Sequence, residues 1–157
     1  MESVSVHAVV EGVEPRAVFD QVVEFERYPD LVETVKSVEV VRTDPVRPTS
    51  SWEVFFRNGI LRWDEVDVLD REALTVVFEQ TEGDFDVFRG SWRIGPADAG
   101  TDVVFDADFD FGVPSLASII DPVAVRVLTE TIVTTMRGLF GDRTEVVEVG
   151  SSLGATR

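Results

Sequence analysis

Hydrophobic and polar positions alternate from the start of the chain. Val4, Val6, Ala8 and Val10 interleave with Ser5, His7, Val9 and Glu11, the period of two that marks a half-buried strand. Gly12 ends the pattern. Pro15 then stands where a first-turn proline is tolerated, and Val18, Phe19, Val22 and Val23 follow at helical spacing. The segment Tyr28-Pro29-Asp30-Leu31 interrupts this helix, because proline disfavours helical geometry in the residue before it. A second short helix is predicted from Asp30 to about Thr34.

The period of two returns at Val35. Strands are predicted over Val35 to Thr43, Trp52 to Arg57, Ile60 to Leu69, Leu74 to Gln80 and Phe85 to Ile94. Asn58-Gly59, a strong two-residue hairpin signal, joins the second and third of these. Gly90, inside the last of them, is expected to mark a bulge. A loop over Gly95 to Gly100 leads to the most regular strand, Asp102 to Phe111. There Val103, Phe105, Ala107, Phe109 and Phe111 share one face, while Asp102, Asp106, Asp108 and Asp110 lie on the other. Such a strand belongs to an antiparallel sheet with one covered face. Side chains along one strand face stand ~7 Å apart, so the aspartate row reads as a solvated surface and not as a cation site.

Leu116 to Phe140 has helical spacing, with Leu116, Ile120, Val123, Val127, Ile132, Met136, Leu139 and Phe140 as its apolar stripe. Pro122 is expected to kink or split it. The order is strand, two short helices, about six consecutive strands, then a long helix. The fold class expected is α+β: a curved antiparallel sheet of about seven strands wrapped around a long C-terminal helix. A wide sheet must curl, and one helix does not fill its concavity, so an apolar, ligand-sized cavity is expected between them. The domain spans 1–149, and 150–157 reads as a flexible tail.

Composition narrows the partners. The 157 residues suffice for one core, with 44% hydrophobic and 28% charged residues. The net charge of −16 repels phosphodiester backbones and anionic headgroups, so neither nucleic acid nor membrane insertion is expected. Met1 to Glu11 has neither the basic region nor the apolar core of a secretory signal, and a cytoplasmic location is expected. With no cysteine and one histidine, thiol chemistry and Cys/His metal sites are excluded, and no metal or other cofactor is expected. His7 itself reads as a surface residue.

Three stretches carry a family resemblance: Val18 to Val23, Phe25-Glu26-Arg27-Tyr28-Pro29-Asp30-Leu31, and Val35 to Val40. Leu74 to Gly83, Phe85 to Trp92 and Thr101 to Phe111 extend it over about the first 140 residues. The chain resembles the START-like helix-grip superfamily, in particular its polyketide cyclase/dehydrase and coenzyme Q-binding branch. It is similar to bacterial aromatase/cyclases in the Trp63 strand, in the Glu82-Gly83-Asp84-Phe85 turn and in the spacing of Phe85, Phe88 and Trp92. The resemblance implies that Tyr28, Trp63, Phe85, Phe88 and Trp92 wall a pocket for a poly-β-ketone chain, often presented by an acyl carrier protein. It also marks a departure. The family's arginine four residues after the tryptophan, proposed to transfer protons or polarise a ketone, is replaced here by Asp67.

The same strand offers other chemistry. Alternation puts Trp63, Glu65 and Asp67 on one face. If that face lines the cavity, burial and mutual repulsion raise the carboxyl pKa values and supply an acid/base pair for aldol closure and dehydration. The opposite face, Ile60, Arg62, Asp64, Val66 and Val68, is no more apolar, so periodicity leaves the orientation open. Arg89, beside Phe88, is a candidate for a carboxylate or phosphopantetheine group, with a surface ion pair as the alternative. Phe19, Phe105, Phe109 and Phe140 read as plain core. Two functions follow. One is a cofactor-independent polyketide cyclase/aromatase with Glu65 and Asp67 as catalytic groups. The other is a non-catalytic carrier for a quinone, polyketide or lipid. Either takes a hydrophobic or aromatic small molecule, as a monomer or homodimer.

Overall fold

The computed structural model describes residues 1–152. Among them, eight strands form one antiparallel sheet: β1 (Glu2–Glu11), β2 (Val35–Val41), β3 (Thr49–Phe56), β4 (Gly59–Asp70), β5 (Thr75–Gly83), β6 (Val87–Ala97), β7 (Gly100–Asp110) and β8 (Thr144–Ser151). The helices are α1 (Pro15–Val22), α2 (Tyr28–Leu31) and α3 (Ala117–Phe140). Strand order is β2-β3-β4-β5-β6-β7-β1-β8. β2 to β7 are a meander of sequential hairpins, and the first strand closes in beside the last of them. The α+β helix-grip architecture therefore holds, with one strand more than expected.

The extra strand is β8, which pairs with β1 across a register shift at His7/Ala8. None of its side chains is fully buried, so its sequence lacks the apolar alternation that announces β1 and β7. Gly150 and Ser151, assigned from sequence to the tail, end this strand. The rest of that tail, 153–157, lies outside the described residues. No helix among the described residues is long and apolar enough to cross a membrane.

Three local expectations are corrected. Pro29 opens α2 at its second position instead of preceding it, so this helix is Tyr28–Leu31 and not Asp30 to Thr34. Proline is tolerated there because the first-turn N–H groups have no intrahelical partner. α3 is not split at Pro122, which falls in its second turn, where only one backbone bond is lost. Its buried residues are Ala124, Leu128, Thr131, Thr135, Met136, Leu139 and Phe140, so the expected stripe holds for the last three, whereas Leu116 is exposed and Ile120, Val123 and Val127 are half-buried. Small and hydroxylated residues at 124, 131 and 135 let the helix lie close to the sheet.

The β3–β4 hairpin forms at the predicted place, but Phe56 pairs with Gly59, which puts Arg57 and Asn58 in the loop with Arg57 at φ 54°. This register sets Trp52 opposite Trp63, with parallel rings 5.9 Å apart. Aromatic cross-strand pairs contribute up to about 1 kcal/mol, enough to favour one register over another.

Gly90 is not a bulge: its pairing with β5 and β7 is unbroken. A Cβ there would lie 2.1 Å from the Asp106 carbonyl oxygen and 2.6 Å from the Phe78 ring. The glycine lets Phe78 fold over the inner face. Gly90→Ala is therefore expected to destabilise the protein by about 1–3 kcal/mol, read as a lower denaturation midpoint in urea, with an unchanged midpoint counting against this packing.

Candidate functional site

The site is built on the inner face of β4. Alternation directs Leu61, Trp63, Glu65, Asp67 and Leu69 inward, and all five are buried. Glu65 is 5% exposed and Asp67 is fully buried. The orientation left open by periodicity is thus inward for both carboxyls. β3 supplies their partners, because its register places Ser50 opposite Glu65 and Trp52 opposite Trp63.

Two hydrogen-bonded arms hold the pair. Trp63 Nε1–H donates to Glu65 Oε1 at 2.7 Å. Trp52 Nε1–H donates to Ser50 Oγ at 2.8 Å, and Ser50 Oγ–H donates to Asp67 Oδ2 at 2.6 Å. Asp67 Oδ1 is buried and receives no hydrogen bond from these or other fixed donors among the described residues. Burial pushes the Glu65 pKa well above the ordinary glutamate value of 4.5, and hydrogen bonding to Asp67 pushes it further. Burial also raises Asp67, while its bonds to Glu65 and Ser50 pull it back. Burial thus favours the protonated form of both carboxyls, and of Glu65 more strongly than of Asp67.

Around these groups lies a cavity of about 60 Å³. At 10–15 Å³ per water it has room for only a few waters, which corrects the expectation of a ligand-sized hollow. Its walls are aromatic. Phe25 and Tyr28 close one end against Trp52, Phe78 and Phe88 face Trp63 across the sheet, and Leu128, Thr131 and Thr135 of α3 cover it. The Tyr28 hydroxyl donates to the Val22 carbonyl at 2.6 Å, fixing the ring at the end of α1. Its phenol stays neutral, because burial and then the charges of Asp67 and Glu65 oppose ionisation.

Of the expected wall residues, Tyr28, Trp63, Phe88 and Trp92 line this cavity. Phe85 does not. It is buried behind the wall, stacked on Phe88 at 4.6 Å and on Phe111 at 4.9 Å. Arg89 lies on the outer face, half exposed and 3.9 Å from Asp108. Consecutive residues of β6 point to opposite sides, so Phe88 inside requires Arg89 outside. Phe105, read from sequence as plain core, is part of the lining. Sequence reasoning missed Ser50, Trp52 and the α3 threonines. The alternation Ser50, Trp52, Val54 combined with the hairpin is the signal that could have found the first two.

The outer face has no comparable arrangement. His7 Nε2 lies 2.8 Å from Asp102 Oδ1, and Arg93 donates to Asp106 at 2.7 Å, so the aspartate row is a paired, solvated surface. Among the described residues no cluster of three potential metal ligands occurs.

The family described as polyketide cyclase / dehydrase and lipid transport matches residues 12–133. No curated protein matches the sequence. Three solved structures share the architecture. A protein from Thermus thermophilus is 25% identical, with 90% of this chain and 95% of that one covered and a TM-score of 0.79. The Zhui aromatase/cyclase from Streptomyces sp. R1128 is 16% identical, with 91% and 94% covered and a TM-score of 0.77. A START superfamily protein from Mycobacterium smegmatis is 19% identical, with 90% and 96% covered and a TM-score of 0.71.

The carboxyl pair has a signature in stability. A folded-state pKa raised above the unfolded one gives stability that is complete below the unfolded value and lost as pH rises toward the folded value. Above about pH 4.5, therefore, Glu65 progressively destabilises the fold. Glu65→Gln removes this dependence. The stability of the variant relative to the parent should rise between pH 5 and pH 8 in chemical denaturation, and a flat difference would refute a buried, proton-retaining Glu65.

Proposed function

This chain belongs to the polyketide cyclase / dehydrase and lipid transport family, whose membership supports a hydrophobic ligand-binding role, and we propose that its cavity closes rings in a poly-β-ketone substrate by proton exchange with Glu65 and Asp67. The observation that carries this reading is the inward-facing carboxyl pair, one acid and one base inside an aromatic wall.

The proton inventory closes over a cycle. The Asp67 carboxylate takes a proton from the carbon alpha to one carbonyl. The resulting enolate carbon bonds to a second carbonyl carbon, and that oxygen takes the proton of Glu65. For dehydration the roles exchange: Glu65, now a carboxylate, removes the next alpha proton, and Asp67 protonates the departing hydroxyl, which leaves as water. Both groups return to their starting states, so no cofactor enters. Acid/base groups of this kind contribute about 10²–10⁴-fold. An acyl carrier protein presenting the chain is the partner this reading implies.

A second reading, a non-catalytic carrier of a hydrophobic molecule, is favoured by the aspartate at position 67, since a carboxylate does not polarise a ketone as a guanidinium does. The cavity volume constrains both readings equally. Any such ligand must part α3 from the sheet to enter.

The double substitution Glu65→Gln/Asp67→Asn separates them. Catalysis by the pair predicts loss of cyclised product by about a hundredfold or more in a reconstituted poly-β-ketone pathway. An unchanged product distribution removes the catalytic role and leaves binding. Arg89→Gln, on the outer face, is expected to leave products and binding unchanged, and a loss of either would put Arg89 in the site after all.

A further inference from the structure

The polar atoms of the cavity are unevenly divided between donors and acceptors. The Trp92 indole and the Thr131 hydroxyl also line the cavity, neither bonded to Asp67 Oδ1, and four donors lie around the carboxyl pair: the indoles of Trp52 and Trp63, the phenol of Tyr28 and the hydroxyl of Ser50. Each is already spent on an acceptor within the protein: Ser50 Oγ, Glu65 Oε1, the Val22 carbonyl and Asp67 Oδ2. The Thr135 hydroxyl is spent on the Thr131 carbonyl at 2.7 Å. Among the described residues no lysine, arginine or histidine lines the cavity. An ionised carboxylate accepts about four hydrogen bonds. Asp67 has one from Ser50 and a share of the Glu65 proton, and its Oδ1 atom stays without a fixed donor. Buried polar atoms without partners are rare in native structures, and each asks for an explanation.

We propose that the missing donor comes from the ligand: the cavity selects an apolar ring or chain bearing a hydroxyl, as an enol or phenol, whose O–H binds Asp67 Oδ1. The inference rests on the ligand-binding reading above and specifies its chemistry. It follows that carboxylates are rejected. A fatty acid or aryl carboxylate would bring a second negative charge against the pair, with no cation in the wall to receive it. Ethers lacking the O–H are disfavoured more mildly, because they leave Oδ1 unpaired on burial. A β-diketone satisfies the site through its enol form. In that form transfer of the O–H proton to Asp67 gives the same enolate that deprotonation of the alpha carbon gives from the diketone.

Phenol, anisole and benzoate test this, being of similar size and differing in the group offered to Asp67. Binding to the intact chain is read by calorimetry and by quenching of the cavity tryptophans. Phenol is expected to bind about tenfold or more tightly than anisole, the factor that one unpaired buried acceptor represents, and benzoate not to bind at pH 8. Anisole equal to phenol, or benzoate equal to either, overturns the inference while leaving apolar binding intact. Failure of all three to bind at millimolar concentration overturns the binding reading as well. Asp67→Asn provides a second check. Its amide oxygen still accepts from Ser50, and its NH₂ replaces the unpartnered oxygen, so the advantage of phenol over anisole should disappear. An advantage that persists in this variant places the hydroxyl elsewhere and overturns the assignment. The comparison of the three ligands on the parent protein stands whether or not the variant folds.

Discussion

Taking two carboxyl groups out of water dominates the energetics of this fold's interior. An isolated ionised carboxylate in an apolar medium is prohibitively unfavourable, and proteins meet the problem by neutralising the group, pairing it or surrounding it with donors. Here two of these devices operate. Burial favours the neutral form of Glu65, and the tryptophan and serine donors of β3 and β4 supply the fixed bonds. Both indoles must then lie beside the carboxyls, which fixes the Trp52–Trp63 pairing and, through it, the hairpin register. The remaining rings pack against that pair, from Phe25 and Tyr28 on one side to Phe85 and Phe88 on the other. A polar requirement thus organises an aromatic core.

How much of this was legible in the sequence depends on how one-sided each element is. β1 and β7 are buried on one face and wet on the other, so their alternation fixed both strand and orientation. β4 gives no such answer. Its inner face carries Glu65 and Asp67 and its outer face carries Ile60, Val66 and Val68, so hydropathy is balanced across it. Only the cross-strand neighbours decide the matter, and these depend on a register that local patterns do not specify. α3 misled in part. Its C-terminal half buries Met136, Leu139 and Phe140 as the spacing implies, but further up the helix Ala124, Leu128 and Thr131 are the buried positions and the larger Val123 and Val127 are only half-buried. β8 was invisible because an edge strand with no buried residue has no face to reveal.

Family membership explains the scaffold and leaves the chemistry to the residues. A guanidinium on β4 would be a permanent charge and a fixed donor. Asp67 in its place supplies neither, and it converts the wall from donating to accepting. Burial favours a proton on Glu65, which the wall can then donate. Loss of the aromatic shell would therefore change the chemistry as well as the packing, since water reaching Glu65 would return its pKa toward the usual range.

The tightness of the cavity bears on the same point. A hollow of about 60 Å³ beside buried carboxyls keeps the local dielectric low, and this favours the protonated form of Glu65. A larger, hydrated pocket would solvate both groups and let them ionise independently. A ligand that parts α3 from the sheet must therefore replace the expelled water with its own apolar surface, or the acid is lost as the site opens. Thr131 and Thr135 sit on the helix face that covers the cavity. The Thr34–Thr131 hydroxyl contact, at 2.7 Å, ties that face to the segment after α2, next to the helix that holds Tyr28. The carboxyl pair, the wall and the covering helix are thus parts of one packed unit, so a change in the packing of any of them changes the proton affinity of Glu65.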